Sequence, residues 1–159
     1  MLPAIQRKIK TIAFDRGLKV GDTIQFLTDC IRYTLVFEPD VYTAQVKASL
    51  TRLETEGSYK IDGVLNYWKA ESPYKGVYAF VSTGPDSLPF EVQFHTPESY
   101  NVKEEKVDDL LEKLTTLTDP EEARTMYLQA EAIWKAVGVP RKAKKIAWPI
   151  VKGKSCIIL

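Results

Sequence analysis

The run Phe90-Glu91-Val92-Gln93-Phe94-His95 alternates strictly between apolar and polar side chains. Only an extended strand, whose successive side chains point to opposite faces, keeps such a pattern coherent. It puts Phe90, Val92 and Phe94 on one face and Glu91, Gln93 and His95 on the other. A chain containing it has to build a sheet with one apolar face to bury and one polar face that carries a carboxylate. On pattern alone, that second face is the wet side of an antiparallel strand. A second run, residues 29–37, sets Ile31, Tyr33, Leu35 and Phe37 against Arg32, Thr34 and Val36, with Asp29 at its entrance.

Other elements follow from periodicity and punctuation. Ile5, Ile9, Ile12 and Ala13 predict a short helix over residues 5–18, stopped near Gly17. Val46, Leu50 and Leu53 share a face of a helix over 41–56, which Gly57 ends. Strands are expected at 59–68 and 77–81 around a loop carrying Pro73, and Gly84-Pro85-Asp86 turns into the strand at 90–96. Pro97 opens a helical region to about 117. Asp119-Pro120-Glu121-Glu122 combines an N-cap, a first-turn proline and two first-turn acids, so a last helix runs to about 136, before Gly138 and Pro140. This order predicts an α+β domain, a small mixed sheet flanked by helices. One domain is expected over 1–159, with a core at 5–137 and a basic tail at 138–159.

Composition narrows the function classes. With 45% hydrophobic and 27% charged residues, the chain reads as an ordinary soluble protein, and a net charge of +1 gives no global field for nucleic acid or membrane. No apolar run suits a membrane span or a signal peptide. Two cysteines, Cys30 and Cys156, make no disulfide framework, and a single histidine excludes a histidine-rich metal cluster. The final Cys156-Ile157-Ile158-Leu159 fits a prenylation box, but equally a chance apolar ending.

Two strands that each deliver an acid to one sheet are a means of holding Mg²⁺ against nucleotide phosphates. The order Asp29-x-x-Arg32-Tyr33, Asn66-Tyr67-Trp68, Tyr74-Lys75-Gly76-Val77 and Glu91-Val92-Gln93-Phe94-His95-Thr96 resembles the RelA/SpoT-like alarmone synthetase domain, closest to its small toxin-type members. The resemblance covers about residues 29–99. It implies a nucleotidyltransferase-like sheet of about five strands, of which four are placed above. It also implies a Mg²⁺-dependent pyrophosphokinase that moves the β,γ-pyrophosphate of ATP to the 3′-hydroxyl of an acceptor nucleotide.

The resemblance assigns roles residue by residue. Asp29 and Glu91 match the acids that hold the metal, and Glu91 alternatively takes the proton of the attacking hydroxyl. Tyr74 matches the tyrosine that stacks on the acceptor base, and Lys69 and Lys75 flank it. Arg32 and Gln93 share the side of the acids if the strands are in register. Asn66 would orient phosphate or base, Trp68 reads as core, and His95 stands where longer members carry arginine. Lys8, Lys10, Arg16 and Lys19 are the counterparts of a basic element that grips ATP. Ser72-Pro73 replaces Asn-Gly, and Tyr78 replaces a histidine. Guanosine phosphates, adenosine phosphates and the tRNA 3′ end therefore all stay open as acceptors, as does a non-catalytic nucleotide-binding module. The toxin-type pattern implies action in a bacterial cytoplasm, of the producer or of a target reached as part of a secreted effector. It also implies an immunity or antitoxin partner.

Overall fold

The computed structural model describes residues 3–17, 19, 23, 27, 31–69, 74–84, 87–114 and 116–148. In chain order these form α1 (Pro3–Arg16), β1 (Arg32–Val36), α2 (Tyr42–Thr55), β2 (Lys60–Asn66), β3 (Val77–Ser82), β4 (Phe90–His95), α3 (Pro97–Val102), α4 (Asp108–Leu114) and α5 (Pro120–Lys135). A π-helical turn, Lys103–Val107, joins α3 to α4, and a 3₁₀ turn, Ala143–Lys145, follows α5. The fold is α+β, and its mixed sheet has four strands among the described residues, in the order β1-β4-β3-β2. β1 runs parallel to β4, while β4–β3 and β3–β2 are antiparallel.

The apolar stripe read from the sequence builds the core. Val92 and Phe94 of β4 join Val77, Ala79 and Val81 of β3 and Val64 of β2, and Tyr42, Val46 and Leu50 of α2 pack on them. A polar chain pins this layer. The indole of Trp68 donates to Tyr42 Oη at 3.0 Å, and that hydroxyl donates to the Phe94 carbonyl at 2.7 Å. Each member of this chain thus finds a partner, as burial demands. Asp119 caps α5 by accepting from the main-chain amides of Glu121 and Glu122 at 2.8 and 3.4 Å.

β1 departs from its expected pattern. Ile31 and every residue of the strand are exposed, whereas alternation predicts a buried side. Among the described residues β1 is an edge strand paired with β4 alone, so its side chains have no second strand beside them to pack against. No helix among the described residues is long and apolar enough to cross a membrane.

Candidate functional site

Register decides which side chains meet. Directly paired residues project from the same face of a sheet. Arg32 pairs with Glu91 and Thr34 with Gln93 across β1–β4, while Phe80 pairs with Glu91 and Tyr78 with Gln93 across β3–β4. Arg32, Thr34, Tyr78, Phe80, Glu91, Gln93 and His95 therefore share one face, opposite the apolar core. This face is not wet, as pattern alone suggested. Glu91 is 6% exposed, Gln93 2% and His95 0%. β4 is flanked on both sides, and bulky Tyr78 and Phe80 stand beside its polar residues.

Charge is concentrated at Glu91. The Gln93 side-chain amide donates to Glu91 Oε1, and Arg32 Nε lies 3.3 Å from the same oxygen. A buried carboxylate normally costs free energy, and a cation with a donated hydrogen bond offsets that cost. Arg32 is half exposed, so its guanidinium also faces solvent, where a second anion can reach it.

Aromatic rings wall this charge. Tyr67, Tyr74 and Tyr78 form a triad with ring centroids 5.1 to 6.1 Å apart, and Tyr78 lies 5.7 Å from the His95 ring. Burial first, then the Tyr74 and Glu91 charges, push the Tyr78 hydroxyl well above its ordinary range, so it stays protonated. Sequence sets the position of His95. Thr96 caps α3 through a reciprocal pair with Ser99, and Ser99 Oγ lies 3.1 Å from His95 Nδ1. Burial and the nearby Lys103 ammonium lower the His95 pKa to about 4, so the ring is neutral at pH 7.

Gly76 brings the tyrosine turn onto the sheet. Its φ is +155°, and a Cβ there would lie 3.0 Å from the Phe94 carbonyl oxygen and 3.1 Å from His95 Cε1. Its own carbonyl accepts from the Tyr67 amide at 3.0 Å. Gly76→Ala should therefore lower Tm and weaken nucleotide binding together, with strain of about 1–3 kcal/mol. Gly84→Ala, where a Cβ meets nothing within 4 Å, should leave both near wild type. Thermal unfolding and titration calorimetry on the two variants check this, and equal behaviour would rule out the role given to Gly76.

Several expected site residues do gather: Arg32, Tyr74, Tyr78, Glu91, Gln93 and His95 form a continuous set, with Lys75 buried beside it. Lys10 and Lys19 are exposed and take no described part in it, Arg16 is half-buried at the end of α1, and Lys69 is exposed. Lys8 lies in α1, but its side chain is outside the described set. Asp29 lies outside the described residues, as do Cys30, Ser72, Pro73 and the 156–159 ending.

Asn66, expected to orient phosphate or base, is engaged with the protein itself. Its side-chain amide donates to the carbonyls of Ala143 and Ile146 at 2.9 and 2.8 Å, and its Oδ1 accepts from the Trp68 amide at 3.1 Å. It clamps the chain after α5 against the core side, so these bonds already engage both ends of the amide. Asn66→Ala should cost about 2–3 kcal/mol, because two carbonyls lose their donor. Urea unfolding reads the loss, and nucleotide affinity of the folded variant should not move.

Tyr67 and Lys103 were not anticipated. Tyr67 follows Asn66, so alternation turns it to the Glu91 face. Lys103 is 5% exposed, with Nζ 2.6 Å from Asp108 and 2.8 Å from Glu104. Its spacing of four from Ser99 was the available signal, since such residues share a helix face.

No protein-family model matches the sequence, and no curated protein is significantly similar to it. Solved structures do share the fold. A protein from Streptococcus mutans aligns at a TM-score of 0.53 and 18% identity, over 81% of this chain and 67% of that one. A GTP pyrophosphokinase family protein from Streptococcus pneumoniae aligns at 0.54 and 16%, over 80% and 64%. Small alarmone synthetase 1 from Bacillus subtilis, bound to its product pppGpp, aligns at 0.52 and 12%, over 81% and 67%. The fold is thus that of the small alarmone synthetases, and the chain spans about two thirds of the length of these proteins.

Proposed function

We propose that this protein is a pyrophosphokinase that transfers the β,γ-pyrophosphate of ATP to the 3′-hydroxyl of a nucleotide. The observation that carries the reading is the buried Glu91 carboxylate, held by Arg32 and Gln93 on a tyrosine-walled sheet face of this fold. The acceptor's 3′-oxygen bonds to the β-phosphorus, the bond from the β-phosphorus to the α–β bridging oxygen breaks, and AMP leaves. Glu91 takes the hydroxyl proton, a role open to a carboxylate within hydrogen-bond reach. Arg32 offers positive charge where phosphate charge shifts. Tyr74, half-buried at the rim of the triad, offers a π-face to the acceptor base.

Mg²⁺ suits this donor set. Among the described residues no three His, Cys, Asp or Glu side chains form a closed metal site. A single carboxylate is enough for an ion that binds through one or two carboxylates and the substrate phosphates. Glu91 would hold it with Asp29, three residues before Arg32 in the sequence. When bound, the ion neutralises phosphate charge during transfer. The Tyr74-Lys75-Gly76 pattern, similar to toxin-type synthetases, supports growth arrest as the outcome and a neutralising protein as the partner.

A second acceptor, the tRNA 3′ end, is favoured by one feature. Arg141, Lys142, Lys144 and Lys145 are exposed on a turn fixed by Asn66, by Thr43 and by buried Ala143 and Ile146. None of the four has an ion-pair partner among the described residues. Such a cluster suits a polyanion.

The test is an acceptor screen. The protein is incubated with Mg²⁺ and γ-labelled ATP, adding GDP, GTP, AMP, ADP or deacylated tRNA separately. Label should pass to one acceptor class, and only with Mg²⁺ present. Folded protein that labels none of them is not this enzyme.

A further inference from the structure

Tyr78 Oη and Gln93 Oε1 are buried and have no hydrogen-bond partner among the described residues. They belong to residues directly opposed across β3 and β4, on the face that carries Glu91. A buried polar atom left unsatisfied destabilises the protein that carries it, and native structures hold few of them. Phenylalanine would fill the Tyr78 site without that penalty. His95 Nε2 is unpartnered too, but the Lys75 main chain also acts on that ring, so the argument rests on the other pair.

The chemistry of the pair is complementary to one group. A carboxylate only accepts, so the Gln93 nitrogen must be the atom facing Glu91. That fixes Oε1 as an acceptor turned away from Glu91. The Tyr78 hydroxyl stays protonated, so it has one hydrogen to give and lone pairs to accept with. Together they match a group that both donates and accepts, and an alcohol is the simplest such group. The site adjoins Glu91, since Gln93 touches both.

We propose that Tyr78 and Gln93 hold the 2′-hydroxyl of the acceptor ribose while Glu91 meets the adjacent 3′-hydroxyl. This rests on the pyrophosphokinase reading and adds to it a discriminator between ribose and deoxyribose. The two hydroxyls of a ribose sit on adjacent carbons, and Gln93 is hydrogen-bonded directly to Glu91, so neighbouring hydroxyls meet neighbouring side chains. The 2′-hydroxyl donates to Gln93 Oε1 and accepts from Tyr78 Oη. Its engagement fixes the sugar so that the 3′-oxygen faces the base that deprotonates it. The orphaned atoms are then satisfied on binding, and the cost carried by the free protein becomes selectivity.

The experiment titrates GDP and ADP, with the 2′-deoxy and 3′-deoxy forms of each, into wild type and Tyr78→Phe by calorimetry. Wild type should bind at least one ribonucleotide about 10-fold more tightly than its 2′-deoxy form. Tyr78→Phe should bind both like the 2′-deoxy form, with Tm equal to or above wild type. A ribose preference that survives Tyr78→Phe overturns the assignment. So does a loss shared equally by the ribose and deoxyribose forms, which would come from misplaced rings. The wild-type comparison alone decides the matter if the variant does not fold. Nucleotides that bind without a 2′ preference sink this proposal alone, whereas no binding of any nucleotide sinks the parent reading with it.

Discussion

Glu91→Gln lowers kcat for pyrophosphate transfer by about 10²–10⁴-fold, the range expected when a general base loses its basicity. The substitution is nearly isosteric. Glutamine keeps a carbonyl oxygen to accept from the Gln93 amide, so that hydrogen bond survives. What disappears is the negative charge beside Arg32. Arg32 is 42% exposed and can turn its guanidinium to water, so no buried cation is left uncompensated. The fold should therefore persist, with Tm close to wild type. The ratio of kcat to KM separates the possible roles of the carboxylate. A loss confined to kcat means that Glu91 acts on the reacting atoms, whereas a rise in KM with kcat unchanged means that it only binds. A folded variant that keeps more than about a tenth of the wild-type kcat would remove Glu91 from proton transfer. The measurement is label transfer under saturating ATP, alongside urea unfolding of the same preparations.

Much of this site was legible in six residues. Strict alternation through β4 fixed which side chains share a face, and it held because β4 is an inner strand with a neighbour on each side. The same rule applied to β1 predicted a buried side that is absent, since alternation says nothing about whether a strand lies at an edge. The core-side position of Asn66 was also legible. It is two residues from Trp68, so a reading that buries Trp68 in the core also points Asn66 that way, and the clamp on Ala143 and Ile146 follows. The partners themselves were invisible, because nothing local links position 66 to positions 77 and 80 residues later. The burial of the Glu91 face was hidden for a similar reason. Polar identity suggested solvent, but Tyr78 and Phe80 stand beside it on the neighbouring strand, and register between strands is a tertiary fact.

His95 makes stability fall as pH drops from about 6.5 to about 4. The ring is buried and neutral, with Ser99 Oγ at Nδ1, the Tyr78 and Tyr100 rings 5.7 and 6.3 Å away, and the Lys75 main chain nearby. Burial chiefly, and then the Lys103 ammonium, oppose its protonation, while Glu104 favours it and only partly compensates. Burial also tends to neutralise that ammonium, but its bonds to Asp108 and Glu104 outweigh this and raise the Lys103 pKa, so its charge persists. The folded pKa is about 4, against 6.5 for a free imidazole. Above pH 6.5 the ring is neutral in both states and costs nothing. As pH falls, the unfolded chain takes up a proton that the folded chain refuses, so stability drops until the folded ring also protonates near pH 4. That interval is worth about 3 kcal/mol. His95→Asn keeps a polar atom near Ser99 but cannot titrate. It should be less stable than wild type at pH 7, and the gap should shrink or reverse by about 3 kcal/mol towards pH 4. Urea unfolding of both proteins at several pH values across that interval measures the gap directly. Other acids titrate equally in the two proteins and cancel in the difference. A gap that stays constant with pH would mean that the ring is protonated as readily when folded as when free, and that water reaches it from the Glu91 face.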